Sequence, residues 1–331
     1  MKKYIICGIL LLSGFVYFAI RDYNSTYVEV SSNPNQNIEL QVKIAQNKLN
    51  LQKDAEFKKY IDSYKTANAN NYENSVISAT KPNVAVVVLQ KDISATFTRN
   101  MVNALDSFVT IALQPQNLKA DIVDFIRNKK HEILISIPME PINFPDNNPG
   151  PLTLLTGLTF DENSKNLEKI LNVTNQSIGF INVDGGRFAV SKNDFLPVLE
   201  KISAKKLFFV NASSYDNSIT DSILQASSAI SENFVTLLPY DYLSEERLKE
   251  LFTSVDTAIK SNQKKLHLVV LYASELSVKN LKNWIEVNKQ NYNFITLSSY
   301  FLEKKRLDYE NTKLEKTEKT QFPPSDAGNI R

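Results

Sequence analysis

Few side chains in this sequence can ligate a metal, carry a proton or attack a substrate. The 331 residues include two histidines, His131 and His267, far apart in the chain, and one cysteine, Cys7. That count excludes a His-rich metal centre, and one cysteine excludes a CxxC pair, a zinc-finger spacing and an intrachain disulfide. Each histidine opens an apolar run, where a hydrogen-bonding structural role outweighs ligation. The remaining candidates are acids, amides and one guanidinium near glycines and prolines. Glu140 lies in the stretch from Pro138 to Gly157, which holds five of the 12 prolines. Asn182, Asp184 and Arg187 surround Gly185-Gly186. Groups of this kind hydrogen-bond polar ligands, although Arg187 is as well suited to pinning its own glycine turn.

The elements that must hold these residues alternate. Short apolar, β-branched runs occur at Val84–Leu89, Val109–Leu113, Ile133–Ile137, Ile178–Asn182, Leu207–Val210, Phe234–Leu238, Leu268–Tyr272 and Phe294–Leu297. Each is nearly continuous in apolar residues, as strands buried on both faces should be. Helical periodicity fills the gaps at Asp121–Lys129, Ser244–Ser261 and Glu275–Lys289. Thr159 with Glu162, Ser191 with Asp194, and Ser244 before two acids are helix-start signals. Strand alternating with helix predicts a parallel α/β fold, and seven or eight repeats suit a closed or nearly closed barrel. An open doubly wound sheet is the alternative. The Pro/Gly stretch follows a strand directly, which places it over the C-terminal mouth of a barrel, where active sites form.

The flanks differ from this body. Met1-Lys2-Lys3 precedes an uncharged apolar run over residues 4–20, and bulky residues end the run where a signal peptidase needs small ones. This predicts an uncleaved signal anchor over residues 1–21, with a cleaved signal peptide as the alternative. It would span the inner membrane once, with the main domain in the periplasm or otherwise outside the cytoplasm. Residues 22–80 form a polar, Asn-rich spacer, with a polar helix expected from Lys48 to Tyr64. Residues 304–331 are expected to be a charged, disordered tail. Lys+Arg number 38 and Asp+Glu 36, a balance that gives no electrostatic footprint for nucleic acid.

One stretch has a specific text. It runs His-Glu-Ile-Leu-Ile-Ser-Ile-Pro-Met-Glu-Pro at 131–141, then Phe-Pro-Asp-Asn-Asn-Pro-Gly-Pro at 144–151 and Leu-Leu-Thr-Gly-Leu-Thr at 154–159. Gly179-Phe180-Ile181-Asn182, Gly185-Gly186-Arg187-Phe188 and Lys206-Leu207-Phe208-Phe209 follow. This resembles the divergent polysaccharide deacetylase family of bacterial envelope proteins, from about Asn83 to Leu302. The resemblance implies a deformed (β/α) barrel over residues 81–303 and metal-assisted amide hydrolysis. In that chemistry an Asp and two His hold zinc, an Asp serves as general base and a His as general acid.

The resemblance also implies where those groups should stand, and every such position differs here. Leu89-Gln90 replaces two adjacent acids after the first strand. Ser136 replaces a His before the Pro-Met-Glu-Pro, and Val183 a His after the fourth strand. Asn211 replaces an Asp after the fifth strand, and Tyr272 the His of a late Gly-His-Pro. The expectation is that zinc and the catalytic residues are lost. An oxygen-rich replacement site would draw on Asp184, Glu140, Asp92 or Glu275 and would suit calcium or magnesium better than zinc. Glu140, Asn182, Asp184 and Arg187 are then ligand-binding candidates for sugar hydroxyls or an acidic glycan, with Tyr215, Tyr240, Tyr242 and Tyr272 as stacking candidates. The leading expectation is a catalytically degenerate envelope module that binds cell-wall glycan or an envelope protein. An active deacetylase with a displaced site and a purely structural scaffold are the rivals.

Overall fold

The computed structural model describes residues 51–66, 75–91, 94–173, 175–182, 185–213, 217–232, 236–238, 244–261 and 266–321. Residues 4–20, Asp92, Val183, Asp184, Tyr215, Tyr240 and Tyr242 lie outside them. Among the described residues nine strands pair in parallel: β1 Asn83–Gln90, β2 Thr110–Leu113, β3 Ile133–Ser136, β4 Gly179–Asn182, β5 Phe208–Asn211, β6 Ser231–Glu232, β7 Thr236–Leu238, β8 Leu266–Tyr272 and β9 Asn293–Ile295. Their order is β6-β5-β4-β3-β2-β1-β8-β7. The C-terminal half of β1 pairs with β2 and its N-terminal end with β9. The sheet curls into a deformed (β/α) barrel, and no pairing joins β6 to β7 among the described residues. Every strand foreseen from an apolar run is present. β6 was missed because Ser231-Glu232 is too short and too polar to register.

The strands are apolar throughout because both faces are covered. Val84, Val86 and Val88 of β1 join a core shared with the surrounding helices, while Ala85, Val87 and Leu89 face a second core inside the barrel. The outer layer consists of α2 Ala95–Ala104, α3 Ala120–Asn128, α4 Phe160–Leu171, the short α5 Gly186–Ala189, α6 Lys192–Ala204, α7 Asn217–Ala226, α8 Glu245–Ser261 and α9 Glu275–Asn288. The Thr159–Glu162 capping box forms, and Ser244 Oγ accepts from Arg247 N. At α6 the Ser191 hydroxyl instead donates to the Asp194 carboxylate and leaves the helix backbone uncapped by its side chain. Trp284 is core, as expected. It stacks on Phe252 and donates to Asp256.

Both flanks need correction. Residues 51–66 are helical (α1), in agreement with the expected polar helix, but the compact unit that holds the sheet begins at Tyr60 rather than at residue 81. Tyr64 is fully buried and stacks on Phe208 in the inner core. Composition alone hid this, because two tyrosines in a polar helix do not form a hydrophobic stripe. The expected disordered tail is helical as far as residue 321, within α10 Leu297–Gln321. Arg306 pairs with Glu303 and Glu310, and Lys304 with Asp308, at one-turn spacings that favour helix over coil.

Candidate functional site

The mouth lies at the C-terminal ends of β1 to β5 and β8. In the β1–β8 register Leu89 stands beside Tyr272, and both belong to the inner core. Leu89 is buried and offers no donor atom to a ligand. Gln90 points its amide toward α2. Its Nε2 donates to Ser94 O at 3.3 Å, and its Oε1 accepts from Thr98 Oγ1 at 2.7 Å. Both amide ends therefore serve the start of that helix. Ser136 ends β3, half-buried, and its hydroxyl bonds no described residue. Asn182 and Asn211 stand in register at the ends of β4 and β5 and are fully buried. Asn182 Oδ1 accepts from Ala212 N at 3.2 Å, so this amide stitches two strand ends together.

The proline-rich loop is a built object, not an open lid. Leu154 N donates to Pro138 O and Glu140 N to Leu154 O, each at 2.9 Å. Asn163 of α4 grips Leu155 through both its amide ends. Glu140 is the hub. One carboxylate oxygen accepts from Thr156 N at 2.6 Å and Thr156 Oγ1 at 2.8 Å, and the other lies 3.3 Å from Arg187 Nη1. Phe188 N donates to Glu140 O at 3.2 Å. Gly185, at φ 103°, makes this approach possible, since a Cβ there would meet Met139 Cβ at 2.4 Å. Two stretches of the recognised text, Pro-Met-Glu-Pro and Gly-Gly-Arg-Phe, are thus two halves of one junction. Glu140 and Arg187 were foreseen as ligand contacts. They are brought together, and Glu140 faces the protein while half of the Arg187 side chain remains exposed.

Both histidines sit at the opposite end of the barrel. His131 lies against the carbonyls of Val109 at 2.8 Å and Val102 at 3.2 Å, and burial pushes its pKa below the ordinary imidazole value. His267 pairs in register with Val84, near the start of β1.

A zinc centre held by one Asp and two His does not fit the described mouth. Leucine has no ligating atom, Ser136 and Asn211 are weak neutral donors, and the Gln90 amide is engaged. Among the described residues no group of three or more His, Cys, Asp or Glu can hold a metal ion. Glu275 lies in the first turn of α9 and has no such partners among the described residues.

Sequence reasoning missed Lys91 and Gln114. Lys91 follows β1, with Nζ 4.6 Å from the Tyr272 ring centroid. Lys91, Gln114, Gln116 and Ser136 line one shallow pocket with Leu89, Met139 and three prolines. The available signal was position, since Lys91 and the Gln-Pro-Gln run directly follow two strand ends.

An uncharacterized protein from Agrobacterium tumefaciens C58 overlays with a TM-score of 0.62 at 23% identity, over 72% of this chain and 94% of that one. It shares the fold. The catalytic domain of a peptidoglycan N-acetylglucosamine deacetylase from Eubacterium rectale ATCC 33656 overlays at 0.43 and 13% identity, over 68% of this chain and 92% of that one. A CE4 family pseudoenzyme from Bacillus anthracis overlays at 0.39 and 13% identity, over 68% and 66%. No curated protein sequence matches. The family profile described as divergent polysaccharide deacetylase matches residues 87–301. The chain belongs to the divergent polysaccharide deacetylase family.

Proposed function

We propose that this chain is a membrane-anchored envelope module. Its deacetylase-like domain no longer hydrolyses amides and instead binds cell-wall glycan. The observation that carries this reading is the pairing of Leu89 with Tyr272 at the inner mouth. One position lacks any donor atom, and the other presents a phenol ring covered by Lys91. Neither supplies a metal ligand or a general base at neutral pH. The junction around Glu140 keeps the family's loop in place without contributing a free carboxylate. A retained surface with its chemistry removed suits recognition of a polymer.

Anchoring rests on the apolar run over residues 4–20 behind Lys2 and Lys3. No described helix is long and apolar enough to cross a membrane. The half-exposed Arg187 guanidinium is a contact for hydroxyl or acidic groups.

The test pairs two measurements on the purified full chain. Elemental analysis is expected to find far less than one divalent metal per chain, and incubation with N-acetylated glycan to release no acetate. Retention on insoluble peptidoglycan is expected, and Arg187→Ala weakens it. One metal per chain together with chelator-sensitive acetate release would overturn the reading and restore an active deacetylase. Loss of retention, with one envelope protein recovered after crosslinking, would replace the glycan with a protein partner.

A further inference from the structure

We infer that the base of the barrel is a cationic face that lies on the anionic headgroups of the membrane holding the chain. This rests on the anchored reading and deepens it. In a parallel barrel each outer helix runs antiparallel to the strands, so helix N-termini gather at the mouth and C-termini at the base. The sequence charges those two ends oppositely. α3 has Asp121 in its first turn and Arg127 in its last, α4 has Asp161 and Lys169, and α8 has Glu245 and Lys260. α6 repeats the pattern. Each pair suits its own helix dipole, and together they give the barrel an electrostatic polarity along its axis.

The turns that enter the strands add to it. Lys81 precedes β1, Lys129-Lys130 precedes β3 and Lys205-Lys206 precedes β5. Lys81, Lys129, Lys130 and Lys205 are exposed. Asp106 and Glu286 share Lys289, Glu168 pairs with Lys201, and Glu200 accepts from Ser228 N at 2.7 Å. None of these acids forms an ion pair with the four exposed lysines among the described residues. Lys130 and Lys206 hold left-handed backbone, at φ 68° and 58°, directly after the C-caps of α3 and α6. Glycine takes that position without strain. Two lysines there keep cations on the base at a cost to the fold. The occupant follows from where the chain enters. Tyr64 stacks on Phe208, the first residue of β5, so the segment leading back to the apolar run over residues 4–20 joins the barrel at this same end. An anchored chain therefore turns this face toward the headgroups, and each lysine near an anionic surface favours contact by about fivefold.

The test reconstitutes the full chain into nanodiscs of phosphatidylcholine, alone or mixed with phosphatidylglycerol, and follows acetylation of each lysine by mass spectrometry. Lys81, Lys129, Lys130 and Lys205 are expected to react at least about threefold more slowly in the anionic discs at low salt, and to regain their rate at high salt, where exposed charges are screened. Lys119 and Lys192, exposed at the mouth, should react equally in both discs. A triple variant, Lys81→Gln, Lys130→Gly and Lys205→Gln, should lose the protection at Lys129. Glycine relieves the backbone at residue 130, so the urea midpoint of this variant should not fall below that of the native chain. Equal acetylation of the base lysines in both discs overturns the face while the anchor stands. Protection of Lys119 and Lys192 instead reverses the orientation and overturns it as well. Protection by soluble dextran sulfate in neutral discs, without protection by phosphatidylglycerol, assigns the face to an anionic polymer and overturns the lipid. If the chain enters neither disc, anchor and face fall together, and retention on peptidoglycan decides glycan binding separately.

Discussion

At the N-terminal end of the strands, Tyr64, Phe208 and Phe301 stack ring on ring at 5.6 and 4.8 Å, fully buried. At the C-terminal end, the same inner core finishes in Leu89 and Tyr272, with polar groups arranged around a shallow pocket. The polar contacts of the lower end are internal. Tyr300 donates to Glu232 at 2.7 Å, and burial raises that phenol well above its usual pKa. Glu132 receives the backbone N–H and hydroxyl of Ser298, and His131 lies against two carbonyls. The upper end divides its polar groups. Gln90, Asn182 and Glu140 bond the protein, while Ser136 bonds no described residue. Stability therefore resides mainly in the lower end, and any glycan recognition in the upper one.

Five changes would break or sharpen this contrast. Phe208→Ala should cost about 3–5 kcal/mol, because it opens a cavity between two stacked rings in a core that cannot collapse. Urea unfolding measures it, and a loss under ~1 kcal/mol would show that the aromatic plug is not the main support. Glu140→Gln should cost about 1–3 kcal/mol, since a buried hub with three partners would lose its charge. Limited proteolysis should then cut within residues 141–157 first. Cutting elsewhere would separate that loop from the Glu140 junction.

Lys130→Gly should stabilise by about 0.5–1 kcal/mol. Lys130 sits at φ 68°, and relief of left-handed strain outweighs the added freedom of the unfolded chain. Lys206→Gly, at φ 58°, should gain almost nothing, because it also removes an ammonium lying over the Tyr60 and Tyr64 rings. Equal gains at both sites would mean that those ring contacts contribute nothing.

The smallest effect is a slope. The folded-state pKa of His131 lies below its ordinary value of 6.5, so the folded chain favours the neutral ring. The stability this contributes is complete above that ordinary value and declines as pH falls through it. The urea midpoint of the native chain should therefore drop more between pH 7 and pH 5 than that of His131→Gln. Parallel slopes would dissociate His131 from the acid sensitivity.

Much of the barrel was legible because burial on both strand faces writes itself as continuous apolar runs, from Val84–Leu89 to Leu268–Tyr272. The family text at 131–211 was legible for a related reason. Gly179 and Gly185 tolerate no side chain, since a Cβ would meet Phe208 O at 2.2 Å or Met139 Cβ at 2.4 Å. The site was less legible. Glu140 and Arg187, 47 positions apart, read as separate ligand contacts until the loop brought them together. Lys91 and Tyr272 carry no shared motif, and only the β1–β8 register makes them neighbours.

The sequence by itself determined the alternation of strand and helix and the absence of a histidine-rich metal centre. Those properties follow from residue type and local spacing, which need no knowledge of distant contacts. Tertiary structure decided that Tyr64 plugs the barrel, that the segment after residue 303 continues a helix, and that Glu140 holds a loop. It also decided that Lys91 stands over Tyr272 beside an open serine. Each of these depends on partners far apart in the chain, and the free energy of such contacts is set by burial and register that no local window contains.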